Sequence, residues 1–316
     1  MSQQQTESTN TSPLEGDAVG KRILVTGANA GIGFWTSLQL AQRGAEVILA
    51  CRNPRKAEAA LSAIRARVPH AKVSTTIMDV ASLASVADAV ERLSAVEGLD
   101  VLIANAGVVH APGKRKQSVD GLELVAATNF FGHFALVAGL LPVLERTAAA
   151  RVITLGSLAT LLVKPRVGDL QLTKNYSSWQ AYAQSKIMSQ SFGFELDRRL
   201  QAAGSPVRAL SAHPGYSISG RTPEVGGVNE PSARKRFIDG LQTPFVQGKN
   251  QGAWPIVRAA LDSQAFSESG PVFFGPRGLV KGAPAKMKPA RITTDPMLAK
   301  TIWHEAERAT GIVLAP

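Results

Sequence analysis

Tyr182 and Lys186 stand four residues apart in the stretch SSWQAYAQSK, Ser177 to Lys186. On a helix that spacing puts a phenol and an ammonium on one face, within reach of a shared ligand. A phenol has a pKa near 10 and exchanges protons readily at neutral pH only beside a group that favours phenolate. With three tyrosines and 14 lysines in 316 residues, a Tyr-x-x-x-Lys arises by chance in about one such chain in eight. The pair therefore carries weight only if the rest of the chain requires a proton donor at this place.

A second set of residues has the chemistry of a nucleotide site. VTGANAGIG carries Gly27, Gly31 and Gly33, with Asn29 and Ile32 in the same turn. Glycine permits a tight turn and lets backbone N–H groups approach a pyrophosphate at a helix N-terminus. An acidic residue some 20 positions further on would hold the ribose of NAD. Here the stretch reads LACRNPRKAEAA, with Cys51 at the acid position followed by Arg52 and Asn53. A guanidinium pairs with a 2′-phosphate through two parallel charge-assisted bonds, so Arg52 favours NADP(H). Asp79 and Val80 in MDV are placed for the adenine, although an Asp before Ala-Ser also reads as a turn or helix cap. Asn105, Ala106 and Gly107 in ANAG, and Pro214 and Gly215 in HPG, close two further strands where a cofactor would pass.

The elements that must position these residues follow a regular rhythm. RILVTG, EVILAC, KVSTTIMDV, LDVLIANAG, ARVITLGS, VRALSAHPG and GPVFFG read as strands, the first five each followed by an amphipathic or apolar helical stretch. Helices are expected over about 34–43, 123–141 and 181–202, and across RKAEAALSAIRARV and SLASVADAVERL. Strands apolar throughout suit a sheet covered on both faces. The alternation predicts an α/β, Rossmann-like, doubly wound parallel sheet of about seven strands in a single domain, residues 20–316. Two stretches break the rhythm, about 159–178 and 216–249, both after strand ends, where such a sheet places its ligand crevice. The polar start, residues 1–19, reads as a flexible tail, and residues from about 276 form a C-terminal extension.

Composition narrows the function classes. Hydrophobic residues make up 45% and charged residues 19%, ordinary for a globular protein. No apolar run reads as long enough to span a bilayer. The net charge of +11 is scattered, and aromatics are 6%, which gives no stacking platform for nucleic acid. The densest basic cluster, Arg277, Lys281, Lys286, Lys288 and Arg291, lies among Gly and Pro and reads as a solvated loop. The single cysteine, Cys51, excludes an internal disulfide and fits a reducing cytoplasm. No His, Cys or carboxylate cluster has metal-ligand spacing. Trp254 and Phe266 read as core, and His133, four residues after Asn129, as packed or solvent-facing.

In order along the chain, TGANAGIG, ANAG, Asn129 in AATNFFGHFAL, Ser157 in VITLGSLAT, the Tyr182–Lys186 pair and HPG resemble the short-chain dehydrogenase/reductase superfamily over about residues 21–275. ACRN, HPGYS, the ending WHEAERATGIVL and the 25-residue step from Ser157 to Tyr182 are similar to bacterial members of the retinol-dehydrogenase and protochlorophyllide-reductase neighbourhood. Two positions depart from the common pattern: Ala30 where relatives often have Ser, and Ser219 where they often have Thr. The resemblance implies hydride transfer between a nicotinamide and a carbonyl carbon, with Tyr182 as proton donor. Lys186 would hold the nicotinamide ribose and favour phenolate, Ser157 would hydrogen-bond the carbonyl oxygen, and Asn129 would place a water linking Lys186 to solvent. Ser219 would bind the nicotinamide amide. Leu158, Leu161, Leu162 and Val163 after Ser157 imply an apolar pocket, with Tyr176, Trp179 and Tyr216 either lining it or packing locally. The expected substrate is a small hydrophobic ketone, aldehyde or alcohol, and the expected assembly a homodimer or homotetramer. Two other readings stand beside this one: a non-catalytic NADP(H) sensor or scaffold, and a reductase of an activated C=C bond.

Overall fold

A computed structural model describes residues 16–316. The tail expected over 1–19 lies outside the described residues as far as residue 15. Its last part is not free: Ala18 is buried and its N–H donates to the Arg43 carbonyl at 2.9 Å.

The first half alternates strand and helix: β1 (Arg22–Thr26), α1 (Gly31–Ala41), β2 (Glu46–Cys51), α2 (Pro54–Arg67), β3 (Val73–Ile77), α3 (Leu83–Ser94) and β4 (Val101–Ala104). The apolar stretch after β4 forms α4 (Leu124–Ala126), a π-helical turn (Ala127–Phe131) and α5 (Gly132–Leu144), followed by β5 (Arg151–Leu155). Then come α6 (Ser178–Ala202), β6 (Arg208–Ala212), β7 (Ser217–Ile218), α7 (Ala233–Leu241), β8 (Gln247–Gly248), α8 (Lys249–Gly252) and α9 (Trp254–Leu261). The chain ends with β9 (Phe273–Pro276), β10 (Pro284–Lys286) and α10 (Pro296–Thr310).

All seven expected strands form one sheet in the order β10-β9-β6-β5-β4-β1-β2-β3, with an eighth, β10, added at the edge. Neighbours pair in parallel except β10, which turns back antiparallel on β9. Three residues opening on a proline carry no period-2 signal, so β10 is invisible in the sequence. Chain order reverses between β1 and β4, and the crevice of a doubly wound sheet opens at that switch point. One core, on α3, α5, α6 and α10, fills one face; a second, on α1, α2 and α9, fills the other.

Several expectations change. The helix expected over 123–141 runs to Leu144 and is interrupted by the π-helical turn, which carries Asn129. Over Leu124–Leu144 it is long and apolar enough to cross a membrane, contrary to the reading from the sequence, but 78% of its most apolar window is buried inside the fold. Gly132 follows the turn because any Cβ there would collide with the Val80 carbonyl. The basic cluster is not all solvated loop: Lys286 lies in β10 and pairs with Glu268, and Lys281 donates to the Thr243 carbonyl at 3.1 Å. Lysine on a short edge strand also discourages pairing with a second sheet. Trp254 and Phe266 are half-buried, not core, and Phe266 lies under the Arg151 guanidinium, 4.5 Å from the ring centre. The C-terminal extension is part of the core: Trp303 of α10 is 1% exposed and packs edge-on against Phe134 at 5.8 Å.

Two buried imidazoles brace the strand ends. His133 on α5 is fully enclosed, with Nε2 2.9 Å from Thr26 Oγ1 and Nδ1 facing the Asn129 carbonyl at 3.4 Å. Nδ1 therefore carries the proton and Nε2 accepts. The His213 ring stacks on Phe273 at 5.3 Å, and its Nδ1 accepts from the Gly215 N–H at 3.2 Å. Burial pushes both imidazoles down to about 4, from 6.5. The unfolded chain therefore binds two protons near pH 6.5 that the folded chain refuses until about 4. Stability is whole above 6.5 and falls as pH drops through this window. Denaturant unfolding should show a loss approaching roughly 2–3 kcal/mol per pH unit between pH 6 and 5. His133→Gln should remove about half of that slope; a flat profile would contradict neutral burial.

Candidate active site

The site begins where β1 ends. Gly27 and Gly31 take left-handed φ values of 66° and 62°, which a side chain would strain. Gly33 rests on Gly27: a Cβ on Gly33 would lie 2.5 Å from the Gly27 carbonyl oxygen. The helix α1 starts from Ala30, whose side chain caps nothing, and its first turn holds no acid. The first N–H groups of an eleven-residue helix thus face the crevice with the positive end of its dipole, a fit for a diphosphate.

At the end of β2, Cys51 is buried, and its thiol lies against the N–H groups of Ala28 and Asn29 under the glycine turn. Burial pushes it up to about 11, so it is an inert thiol. Arg52 follows with its side chain 76% exposed, its guanidinium 3.7 Å from Asp79 at the end of β3. Asp79 also accepts from the Ala81 N–H at 3.0 Å, so its turn role is realised beside its place next to Arg52. Asn53 caps α2 by accepting from the Lys56 N–H at 3.0 Å, which ties its side chain to the helix. Val80 is buried against Gly132.

At the end of β4, Asn105 donates to the Thr26 carbonyl at 2.7 Å, and the Ala106 N–H donates to Thr26 Oγ1 at 2.8 Å. Gly107 fills a gap that only glycine fits easily. A Cβ there would lie 3.1 Å from Asn129 Oδ1 and 3.6 Å from Lys186 Nζ. The π-helical turn presents Asn129, which donates to Ser185 Oγ at 2.8 Å and accepts from the Val108 N–H at 2.7 Å. Its amide thus holds the post-β4 turn to α6.

Ser157 follows the end of β5 by two residues and Tyr182 lies on the first turns of α6, with the phenol donating to Ser157 Oγ at 3.1 Å. Helix α6 starts at Ser178, three residues before the expected Ala181. Ser177 caps it by accepting from the Gln180 N–H at 3.2 Å. Lys186 is buried, and its ammonium donates to the Leu155 carbonyl at 3.2 Å. Burial lowers Lys186 to about 8. Burial raises Tyr182, with the Ser157 hydrogen bond pulling the other way. Lys186 is not among the groups that shift Tyr182 here; its ammonium is held on the Leu155 carbonyl.

The 159–178 connection is pinned by residues that sequence reasoning passed over. Gln184, buried on α6, accepts from the Arg166 N–H at 2.7 Å and donates to the Asp169 and Leu170 carbonyls, both at 3.1 Å. A glutamine in a helix gives no local hint of such contacts. Of the aromatic candidates, Tyr176 packs among Val108, Ala111, Val125 and Leu172. Trp179 is half exposed, its ring 6.3 Å from that of Tyr182. Tyr216 is also half exposed and donates to Gln242 Oε1 at 3.1 Å. Leu158 is half-buried, and Leu161 and Leu162 are exposed.

On the strand β6 side, Gly215 has φ 65° and lies against the Val280 carbonyl, to which the Tyr216 N–H donates at 2.7 Å. Pro214 accepts from Gln247 Nε2 at 2.9 Å. Ser219 opens a short 3-10 turn further along the same segment. A cavity of about 360 Å³ between α6 and Thr293–Pro296 is lined by Ser191, Phe194, Arg198 and Ala299, well down α6 from Tyr182. Among the described residues, no group of three or more His, Cys, Asp or Glu is placed to hold a metal ion.

The sequence matches the short chain dehydrogenase family over residues 21–225. It is 35% identical to human retinol dehydrogenase 13 over 305 residues, covering 95% of this chain and 87% of that one. Mouse polyprenol dehydrogenase is 34% identical over 297 residues, covering 92% and 84%. A crystal structure of an uncharacterized Mycobacterium paratuberculosis protein superposes with a TM-score of 0.76 at 34% identity, covering 96% of this chain and 98% of that one. A short chain dehydrogenase from Escherichia coli complexed with NADPH shares the fold at a TM-score of 0.60 and 20% identity, over 82% of this chain and 97% of that one. With its reversed-order parallel sheet, glycine turn and Ser157–Tyr182 pair, this chain belongs to the short-chain dehydrogenase/reductase family of oxidoreductases, in the retinol dehydrogenase-like neighbourhood.

Proposed function

We propose that the protein is an NADP(H)-dependent oxidoreductase that interconverts a hydrophobic ketone or aldehyde and its alcohol. The observation that carries this reading is the 3.1 Å hydrogen bond between Tyr182 and Ser157, one helical turn from a buried Lys186. The glycine turn and the uncapped start of α1 fit a dinucleotide, and Arg52, exposed beside β2 where an acid would reject a 2′-phosphate, fits NADP(H). The bound cofactor would supply or accept the hydride. Ser157 hydrogen-bonds the carbonyl oxygen and opposes the charge that develops on it. Tyr182 gives its proton to that oxygen and recovers it in the reverse direction. Lys186, fixed by Leu155, binds ribose hydroxyls, and Asn129 keeps the post-β4 turn open beside it.

Exposed apolar side chains near the site residues support a hydrophobic substrate. Leu161, Leu162, Trp179 and Tyr216 are exposed close in sequence to Ser157, Tyr182 and the β6 turn. Relatives named for retinol and polyprenol point the same way. The single buried thiol suits a reducing cytoplasm.

Tyr182→Phe should lower kcat by about 10²–10⁴-fold while NADPH still binds, since a positioned general acid is worth about that much. Near-normal turnover in this variant would refute the proton-donor role. Arg52→Ala should raise KM for NADPH by about 10–100-fold and leave KM for NADH within a few-fold, the scale of losing a charge-assisted pair. Equal effects on both would refute the 2′-phosphate assignment.

A further inference from the structure

Lys249 opens α8, at the far end of the 216–249 segment, and its backbone is firmly held. Its N–H donates to Thr222 Oγ1 at 2.8 Å. The preceding β8 pairs in parallel with β7, and Gln247 links the Pro214 carbonyl to the Gly282 N–H, at 2.9 and 3.0 Å. Gly252 then packs on Ile32: a Cβ there would lie 2.9 Å from Ile32 Cδ1. That contact seats α8 on the first turn of α1.

The side chain of Lys249 extends over the glycine turn. A Cβ built on Gly31 would lie 3.9 Å from both Cδ and Nζ of Lys249. The lysine is half-buried, and within the described residues its ammonium makes no hydrogen bond or ion pair. Asp239, the carboxylate that acts on it, is engaged by Lys235 at 3.1 Å and by the Gly220 N–H at 2.8 Å. Burial pushes the Lys249 ammonium below its ordinary value, and the Lys235 charge adds to this. A cation drawn partly out of water without an acceptor is costly, and the arrangement is stable when an anion meets it. The uncapped N-terminus of α1 points at the same place and favours the same charge.

We propose that Lys249 is a cofactor-binding residue, reaching from the 216–249 segment to clamp the diphosphate of the dinucleotide over Gly31. This rests on the reading of the glycine turn as a dinucleotide site. It also ties the segment to the cofactor at its far end, while its start carries Tyr216 and its middle α7.

Calorimetric titration of the purified protein with NADPH and with adenosine 2′-monophosphate, which lacks the diphosphate, tests the assignment. Lys249→Met should weaken NADPH binding about tenfold or more and leave adenosine 2′-monophosphate within about twofold. Lys249→Arg should keep NADPH affinity within a few-fold. Lys249→Gln, a polar replacement, serves if the Met variant does not fold, with the same expectation. Unchanged NADPH affinity in the Met or Gln variant would overturn the proposal, as would equal weakening of both ligands, which moves the ammonium to the 2′-phosphate. A wild-type protein that binds neither ligand would overturn the dinucleotide reading itself, and the clamp with it.

Discussion

The geometry of the crevice depends on how the end of β1 is tied to the end of β4. Thr26 does this with both of its oxygens. Its carbonyl accepts from Asn105 Nδ2 at 2.7 Å, and its hydroxyl accepts from the Ala106 N–H at 2.8 Å and faces His133 Nε2 at 2.9 Å. The β1–β4 ladder pairs residues only as far as Val25 and Ile103, and at a switch point the loops beyond the two strands part, so the ladder does not reach the two turns. The Thr26 bonds fix the glycine turn against ANAG. They also bring α5 into register, because His133 sits on the helix that follows the π-helical turn. Asn129, one turn earlier, then reaches Val108 and Ser185, and Gly107 is left facing Lys186. A buried network of this kind stiffens the site because every member is satisfied.

The proposed catalytic pair, Tyr182 and Lys186, is held in an environment that does not by itself favour phenolate. Burial raises Tyr182 and lowers Lys186 to about 8, so the protein disfavours both phenolate and ammonium. The phenol is kept protonated and aimed at Ser157, which suits a donor. In the proposed mechanism, the positive charge of an oxidised nicotinamide beside the ring would supply the push toward phenolate. Coupling of this sort would make proton transfer conditional on a loaded site.

Much of this arrangement is legible in the sequence, for reasons that can be named. Most of the seven parallel strands are short apolar runs buried on both faces, with the polar edge strand β3 the exception, and the first six lead into motifs with their own chemical demand. Gly27, Gly31 and Gly33 are visible because only glycine meets their backbone and contact constraints. Ser157 and Tyr182 are 25 residues apart in the chain and meet at 3.1 Å, as the order of motifs requires. The π-helical turn was not legible, since an inserted residue leaves the apolar content of a buried helix unchanged. Nor were β7, β8 and β10, which are too short for periodicity. The side-chain partners of Asn129, the Val108 backbone and Ser185, were likewise not legible. The contacts of Gln184 and Lys249 span 14 or more residues of sequence, where local pattern is silent.

The central claim is that Tyr182 is the proton donor and becomes acidic only when the oxidised cofactor is present. The chain has three tyrosines, so their ionisation can be followed by ultraviolet difference absorbance. Titration with and without saturating NADP+, in the wild type and in Tyr182→Phe, measures the claim directly. The account predicts that NADP+ brings one tyrosine below its ordinary pKa near 10 and that this transition is missing in the Phe variant. A Tyr182 that titrates at the same high pH with and without NADP+ would contradict it.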